Sequence, residues 1–311
     1  MTVSHMTSLS NAECNTILSS TAPATRSAAK MRSAAVYMLY KRKQSLHGYN
    51  LSGIDLSDRS MPNIDLSGVN LTNANLSSTD LSGAKFNSAT LNHANLYNAD
   101  LTGASLCNSS LQCATFDSAI LVDANFHTAV LSGASLECVT ATRASFVGAK
   151  LTGATIHEAK LDDTMMIGVD MRDVRADRVN FKCAVMIRSN FSGAKLSGVQ
   201  FRGANLCSAN FSYTNLQSNN FDYVNLANAS LRSTDLRNVS MRYATLTNCD
   251  LRKAVLIKTD TYGAECRGAK YHARSSGVKK LAPCTQTRYK MAVALVTLVI
   301  IGFITSIYLR A

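Results

Sequence analysis

Residues 94–103 read Ala94-Asn95-Leu96-Tyr97-Asn98-Ala99-Asp100-Leu101-Thr102-Gly103, two five-residue blocks each centred on Leu with Ala two places before it. The same register runs from Leu51 to Leu256, through Ala74–Ser78 (Ala-Asn-Leu-Ser-Ser) and Ala204–Ser208 (Ala-Asn-Leu-Cys-Ser). The central residue is Leu, Phe, Met or Ile almost throughout. Two places earlier stands a small or β-branched residue, usually Ala, as at Ala84, Ala89 and Ala104. The remaining three places hold Asn, Asp, Ser, Thr, Gly, Lys or Arg. A helix advances about 100° per residue and would rotate the apolar stripe by about 140° per block. A flat strand alternates faces, so an odd period would send successive leucines to opposite sides. The chain must therefore turn once per block, which makes it a solenoid whose repeats bury their apolar sides against neighbours above and below.

In these blocks the sequence resembles the pentapeptide-repeat family: a small residue, Asn or Asp, Leu or Phe, Ser or Thr, then a variable residue. The resemblance covers about two thirds of the chain. It implies an all-β fold, a right-handed quadrilateral β-helix with one block per side and about twenty residues per coil, some ten coils forming a rod roughly 50 Å long at about 4.8 Å per coil. Residues twenty apart should then stack. Leu96, Phe116 and Leu136 fall on one side, Phe181, Phe201 and Phe221 on another, and Phe191 and Phe211 on a third, so aromatic ladders are expected in the C-terminal half. Ala141 and Ala176 replace the large central residue and should thin the core. Arg59 and Asn219 stand where Ala belongs and should distort their corners or turn outward, and Met61-Pro62 beside Arg59 suggests an irregular early coil.

The division of the 311 residues follows the pattern: a disordered leader at 1–26, a capping helix at 27–48, the β-helix at 49–260, a cap and basic linker at 261–290, and a transmembrane helix at 291–309. The leader is rich in Ser, Thr, Ala and Asn and lacks a signal-peptide h-region. It is similar to mitochondrial targeting segments and to the leaders of secreted bacterial effectors. In the next segment Met31, Ala34, Ala35, Met38 and Leu39 make a helical stripe, suited to covering the first coil's open edge. Residues 291–309 carry no charge and would span roughly 28 Å as a helix, close to a bilayer's hydrocarbon core. Lys279, Lys280, Arg288 and Lys290 outnumber Arg310 beyond it, so the repeats should face the cytosol. This arrangement resembles tail-anchored proteins.

The formal net charge of +12 is unevenly spread: +5 over 1–48, −7 over 49–170, +7 over 171–260 and +7 thereafter. The basic half presents Arg232, Arg237, Arg242, Arg252, Lys253 and Lys258 as a candidate surface, with anionic lipid as one ligand. Some pentapeptide-repeat proteins imitate DNA and occupy topoisomerases. B-DNA carries about one negative charge per 1.7 Å, far above a half-rod of −7, so DNA mimicry or nucleic-acid binding is the alternative reading. Outward aromatics are few, namely Tyr213, Tyr223 and Tyr243. Nine cysteines show no CxxC pair and no metal spacing, which favours reduced thiols. No phosphate loop, nucleophile elbow or paired histidines appear, and no cofactor or metal is implied. The sequence thus reads as a non-catalytic, membrane-anchored scaffold for a protein partner, in the setting of a secreted effector at host membranes.

Overall fold

A computed structural model describes residues 9–20 and 26–271. Parallel bridges join residues twenty apart from Asn50↔Asn70 to Asp250↔Lys270, so each coil has four sides of five residues. Every corner carries a residue with positive φ at the second place after the central one, such as Asn98 (55°) and Gly103 (66°). At most corners the N–H one place later returns to the central carbonyl, as Ala99 N does to Leu96 O at 3.1 Å. Positive φ confined to that place, closed by this bond, is a type II turn.

One block shows why the sequence takes this form. Asn95 N donates to Ala74 O of the preceding coil, while Leu96 N and Asn98 N donate to Thr115 O and Asp117 O of the following one. Ala99 N closes the turn, and Tyr97 N, the one donor left, goes to Asn95 Oδ1 at 3.1 Å. All five backbone donors are met, as a buried backbone requires. Asn or Asp before the centre is therefore part of the turn. At several blocks where Ser replaces it, the acceptor comes from the preceding coil: Asn87, Asn92 and Asp117 receive the N–H groups of Cys107, Gln112 and Glu137.

The central residues and the small residues before them fill the interior, where Leu96, Phe116 and Leu136 share one side and are fully buried. Phe181, Phe201 and Phe221 stack at 5.5 and 4.7 Å, and Phe191 and Phe211 stack at 4.7 Å on the opposite side. The two ladders meet edge to face across the axis, Phe201 lying 6.0 Å from both Phe191 and Phe211. A shorter stack, Phe126 on Phe146 at 4.8 Å, lies in the N-terminal half. Buried hydroxyls in the Ala place are satisfied by central carbonyls, as Thr79 Oγ1 is by Leu56 O.

Several details differ from the sequence reading. Asn219 is buried, not turned outward. The corner after Leu196 is opened by the extended segments β1 (Arg175–Asp177) and β2 (Lys195–Ser197), and Asn219 fills the opening. Its Oδ1 accepts from Val199 N at 2.8 Å and its Nδ2 donates to Leu196 O at 3.4 Å, replacing a turn bond with a side-chain amide. Met61-Pro62 is regular, because Pro at the first turn position suits a type II turn and Ile64 N still reaches Met61 O. The coil also continues past residue 260 to Lys270, since Gly263 and Gly268 supply the positive φ and Ala264 and Ala269 the small place.

Two helices cover the first coil. Helix α1 (Asn11–Ser19) lies inside the segment read as a disordered leader, and a capping box explains it: Ser10 Oγ accepts from Glu13 N while the Glu13 carboxylate accepts from Ser10 N. Cys14 and Leu18 anchor it to the core. Helix α2 (Arg26–Lys41) buries Ala35, Val36 and Leu39. It grips the coil edge through Arg32 to Asn50 O and Tyr40 Oη to Pro62 O at 3.1 Å. Arg59 has a role here, its guanidinium lying 5.1 Å over the Tyr37 ring.

Candidate interaction surface of the basic half

The basic residues occupy corners, directly after the central residue or one place further. Where Asp precedes the centre and Arg follows it, as in Asp235-Leu236-Arg237 and Asp250-Leu251-Arg252, one carboxylate accepts both the arginine's backbone N–H and its guanidinium. Arg237 Nη2 and Arg252 Nη2 donate to Asp235 and Asp250 at 2.6 Å, and Arg172 repeats the arrangement on Asp170. The hydrogen bonds from Arg252 hold the Asp250 carboxyl well below its usual range, at about 2. Asp235 and Asp170 are lowered by the same cause. Arg242 Nε meets Asp260 at 3.3 Å.

Three of the six basic residues picked out from sequence, Arg237, Arg242 and Arg252, are thus paired with carboxylates. Arg232, Lys253 and Lys258 join no ion pair among the described residues. Arg232, Arg252 and Lys253 share one corner, Arg237 and Lys258 another, and Arg242 a third, so the set does not form one patch. Lys279, Lys280, Arg288, Lys290, Arg310 and the whole of 291–309 lie outside the described residues. Among the described residues no helix is long and apolar enough to cross a membrane.

The third corner carries an arrangement that counting charges does not reveal. On successive coils it presents Lys182-Cys183, Arg202-Gly203, Asp222-Tyr223, Arg242-Tyr243 and Tyr262-Gly263. Tyr223 stacks on Tyr243 at 5.3 Å, and Tyr243 meets Tyr262 edge-on at 5.6 Å. Arg202 covers Tyr223 at 5.3 Å, and Arg242 covers Tyr262 at 5.5 Å. Asp222 is turned into the corner, accepting from Ser240 Oγ and Arg242 N. Gly203 leaves a gap in the ridge, a recess of about 380 Å³ lined by Lys182, Cys183, Arg202, Gly203 and Tyr223. The signal that could have located it is the twenty-residue spacing of Arg202-Gly203, Asp222-Tyr223 and Arg242-Tyr243.

Beside this ridge the rod's side departs from its polar norm. Met165 and the buried Val185 pair as bridge partners in places that are mostly polar elsewhere, Ile120, Val130 and Val255 being other exceptions, and Val147, Ile167 and Ile187 follow one another at the next corner. Among the described residues no cluster of His, Cys, Asp and Glu could hold a metal, and their cysteines are free thiols.

Comparison with protein families matches pentapeptide repeats, in eight copies, over residues 50–87, 84–123, 109–146, 144–182, 184–218 and 220–256. A comparison with curated proteins finds no match. Among solved structures, the chain is similar to HetL, a pentapeptide repeat protein involved in heterocyst differentiation regulation in the cyanobacterium Nostoc sp. The identity is 27%, over 69% of this chain and 88% of that one, with a TM-score of 0.26. It is also similar to a pentapeptide repeat protein of the Arabidopsis thaliana thylakoid lumen, at 31% identity over 36% of this chain and 72% of that one, TM-score 0.25. A third is QnrB1, a plasmid-mediated fluoroquinolone resistance protein, at 19% identity over 50% of this chain and 90% of that one, TM-score 0.29. The family match spans well over half the sequence and coincides with the four-sided coil, and on that ground the chain belongs to the pentapeptide-repeat family.

Proposed function

We propose that the protein is a non-catalytic scaffold that presents the sides of its rod to a protein partner while residues 291–309 hold it at a membrane, the repeats facing the cytosol. The observation that carries the scaffold reading is the unbroken ladder from Asn50 to Lys270. The interior is packed solid, so the outward side chains are what remains for recognition. Family membership supports this coarse reading, since pentapeptide-repeat proteins are generally structural or interaction proteins. The anchor rests on the uncharged 291–309 segment and the excess of Lys279, Lys280, Arg288 and Lys290 over Arg310. The setting of a secreted effector at a host membrane belongs to the same proposal, on the composition of the leader.

Nucleic-acid or topoisomerase binding is the alternative. Carboxylate pairing of Arg172, Arg178, Arg237, Arg242 and Arg252 weakens it, because each cation must first leave an acid before it meets a phosphate. Membrane fractionation tests the anchor: the full chain should pellet and resist alkaline extraction, while a version ending at Lys290 should stay in the supernatant. Membrane retention of the shortened version would refute it. Inhibition of a topoisomerase supercoiling assay at stoichiometric concentration would favour the alternative.

A further inference from the structure

We propose that the side of the rod carrying Arg175 and Lys195 is a membrane-contact face, which lies against the anionic leaflet of the bilayer that holds residues 291–309 and leaves the other three sides to a protein partner. This rests on the anchor reading and says how the rod is turned at the membrane.

The residues that face straight out of a side are those at its bridge positions. Between residues 171 and 260 only one side has cations there, Arg175 and Lys195, which lie on β1 and β2 and are both exposed. The bridge positions of the other sides in these coils are neutral or acidic, as at Gln200, Asn205 and Asp250. The two corners that border the cationic side hold five of the six basic residues picked out from sequence, Arg232, Arg252 and Lys253 on one and Arg237 and Lys258 on the other. Arg175, Lys195, Arg232, Lys253 and Lys258 join no ion pair among the described residues. Of the acids on the same face, Asp177 is tied to Arg178 and Asp235 to Arg237, and Asp173 neighbours Arg172. Arg172 and Arg252 are held by Asp170 and Asp250 of the adjoining side. The unpaired cations leave an excess of positive charge over the coils from Arg175 to Val255, roughly 20 Å at 4.8 Å per coil.

The same face turns apolar towards its C-terminal end. Val255, 39% exposed, is the one apolar residue at the bridge positions of this side among the described residues, and Ile257, 42% exposed, follows it at the corner. Tyr213, 72% exposed, stands on the other bordering corner. Cations beside outward aliphatic side chains and a tyrosine suit a lipid surface, where the charges meet headgroups and Val, Ile and Tyr reach the interfacial layer. A nucleic acid's phosphates would use the cations but offer nothing to Val255 and Ile257. One tyrosine is also not the run of stacking rings that a single strand takes. The chain order agrees, since only residues 272–290 separate the last described coil from the uncharged 291–309. Fully extended they reach no more than about 70 Å, so contact between face and bilayer is intramolecular and needs little affinity of its own.

The test uses the full chain reconstituted into phosphatidylcholine vesicles with and without phosphatidylserine. An environment-sensitive dansyl side chain is placed at Asn215, in the middle of the face, or at Asn225, on the opposite side. The two sites are matched, because each gives up one turn hydrogen bond, accepted from Gln217 N or from Ala227 N. With phosphatidylserine the emission from 215 should shift to the blue and that from 225 should not. The docked-to-undocked ratio read from that emission should fall about fivefold for each of Arg175→Gln and Lys195→Gln. Arg188→Gln with Arg202→Gln, which border the opposite side, should leave it unchanged, and Val255→Ser with Ile257→Ser should lower it severalfold. Circular dichroism melting of each variant separates lost contact from lost fold. The proposal is overturned if 215 and 225 respond alike, if phosphatidylserine has no effect, or if the Arg188 and Arg202 pair is as damaging as Arg175 and Lys195. It is overturned too if a DNA duplex, matched in phosphate to the lipid, reverses the shift at 215. Alkaline extraction of the same vesicles keeps this separate from the anchor: a chain that resists extraction with 215 exposed retains the anchor and loses the face. One that is extracted, yet has 215 shielded by added vesicles, retains the face and loses the anchor.

Discussion

Asn219 shows how one side chain can stand in for a turn. Its amide accepts from Val199 N and donates to Leu196 O inside the core, two backbone groups that would otherwise be buried without partners. Asn219→Ala restores the usual small residue but removes both bonds, and should lower stability by about 1–3 kcal/mol in guanidinium unfolding. Unchanged or higher stability would mean that the Leu196 corner closes into the ordinary turn once Asn is gone. The Asp-Leu-Arg blocks make a related point about charge. Asp250 is held at about 2 by Arg252, so the arginine that looks like a free surface cation from sequence is half of a local clamp. At this scale the Asn or Asp before each centre was legible from its recurrence. Its use, to bind the one N–H that the coil leaves over, was not.

Among elements, the phenylalanine ladders and the N-terminal cap carry separable burdens. Phe201 stacks on two rings and meets two more edge-on, whereas Phe86 is equally buried and makes no ring contact among the described residues. Phe201→Ala should cost about 3–5 kcal/mol, exceeding Phe86→Ala by the roughly 0.5–1.5 kcal/mol that ring pairs add to burial. Equal losses in denaturant titration would assign the ladder's value to burial alone. The cap, α1 and α2, covers the edge of the first coil through Arg32, Tyr40 and the Arg59–Tyr37 contact. A chain beginning at Gln44 should fold its coils yet associate with rising concentration in sedimentation velocity, because its uncovered edge can pair with another copy. A monodisperse monomer would show that the helices serve some other purpose.

For the whole molecule, acid stability follows from the many carboxylates built into corners. Asp55, Asp65 and Asp80 are lowered first by side-chain hydrogen bonds from Ser57, Ser67 and Ser82, as Asp170, Asp235 and Asp250 are by their arginines. A lowered carboxyl stabilises the fold fully above its unfolded value, about 3.9, and loses that contribution as pH falls through the folded value. The melting temperature should therefore hold steady from about pH 8 to 5 and fall between about pH 4 and 2. A fall that begins near pH 6.5 would point to histidines instead. Over the same length the N-terminal half carries most of the acid and the C-terminal half most of the base, and in the second Arg237, Arg242 and Arg252 lie against carboxylates along the corners.

The five-residue period by itself determined a solenoid with inward leucines and phenylalanines, because a turn per block is the one way to keep those residues on a common axis; the four sides, and with them which rings would stack, came from the resemblance of the blocks to pentapeptide repeats. The apolar stripe in turn placed a cap helix at 27–48, which the structure forms over Arg26–Lys41. The tertiary structure alone decided which cations are paired, that Asn219 points inward, that Arg59 serves the cap, and that Arg202 and Arg242 lie over the rings of Tyr223 and Tyr262. Those outcomes depend on what a side chain finds twenty residues away on the next coil and on the rotamer it takes there, and both are fixed by packing in three dimensions.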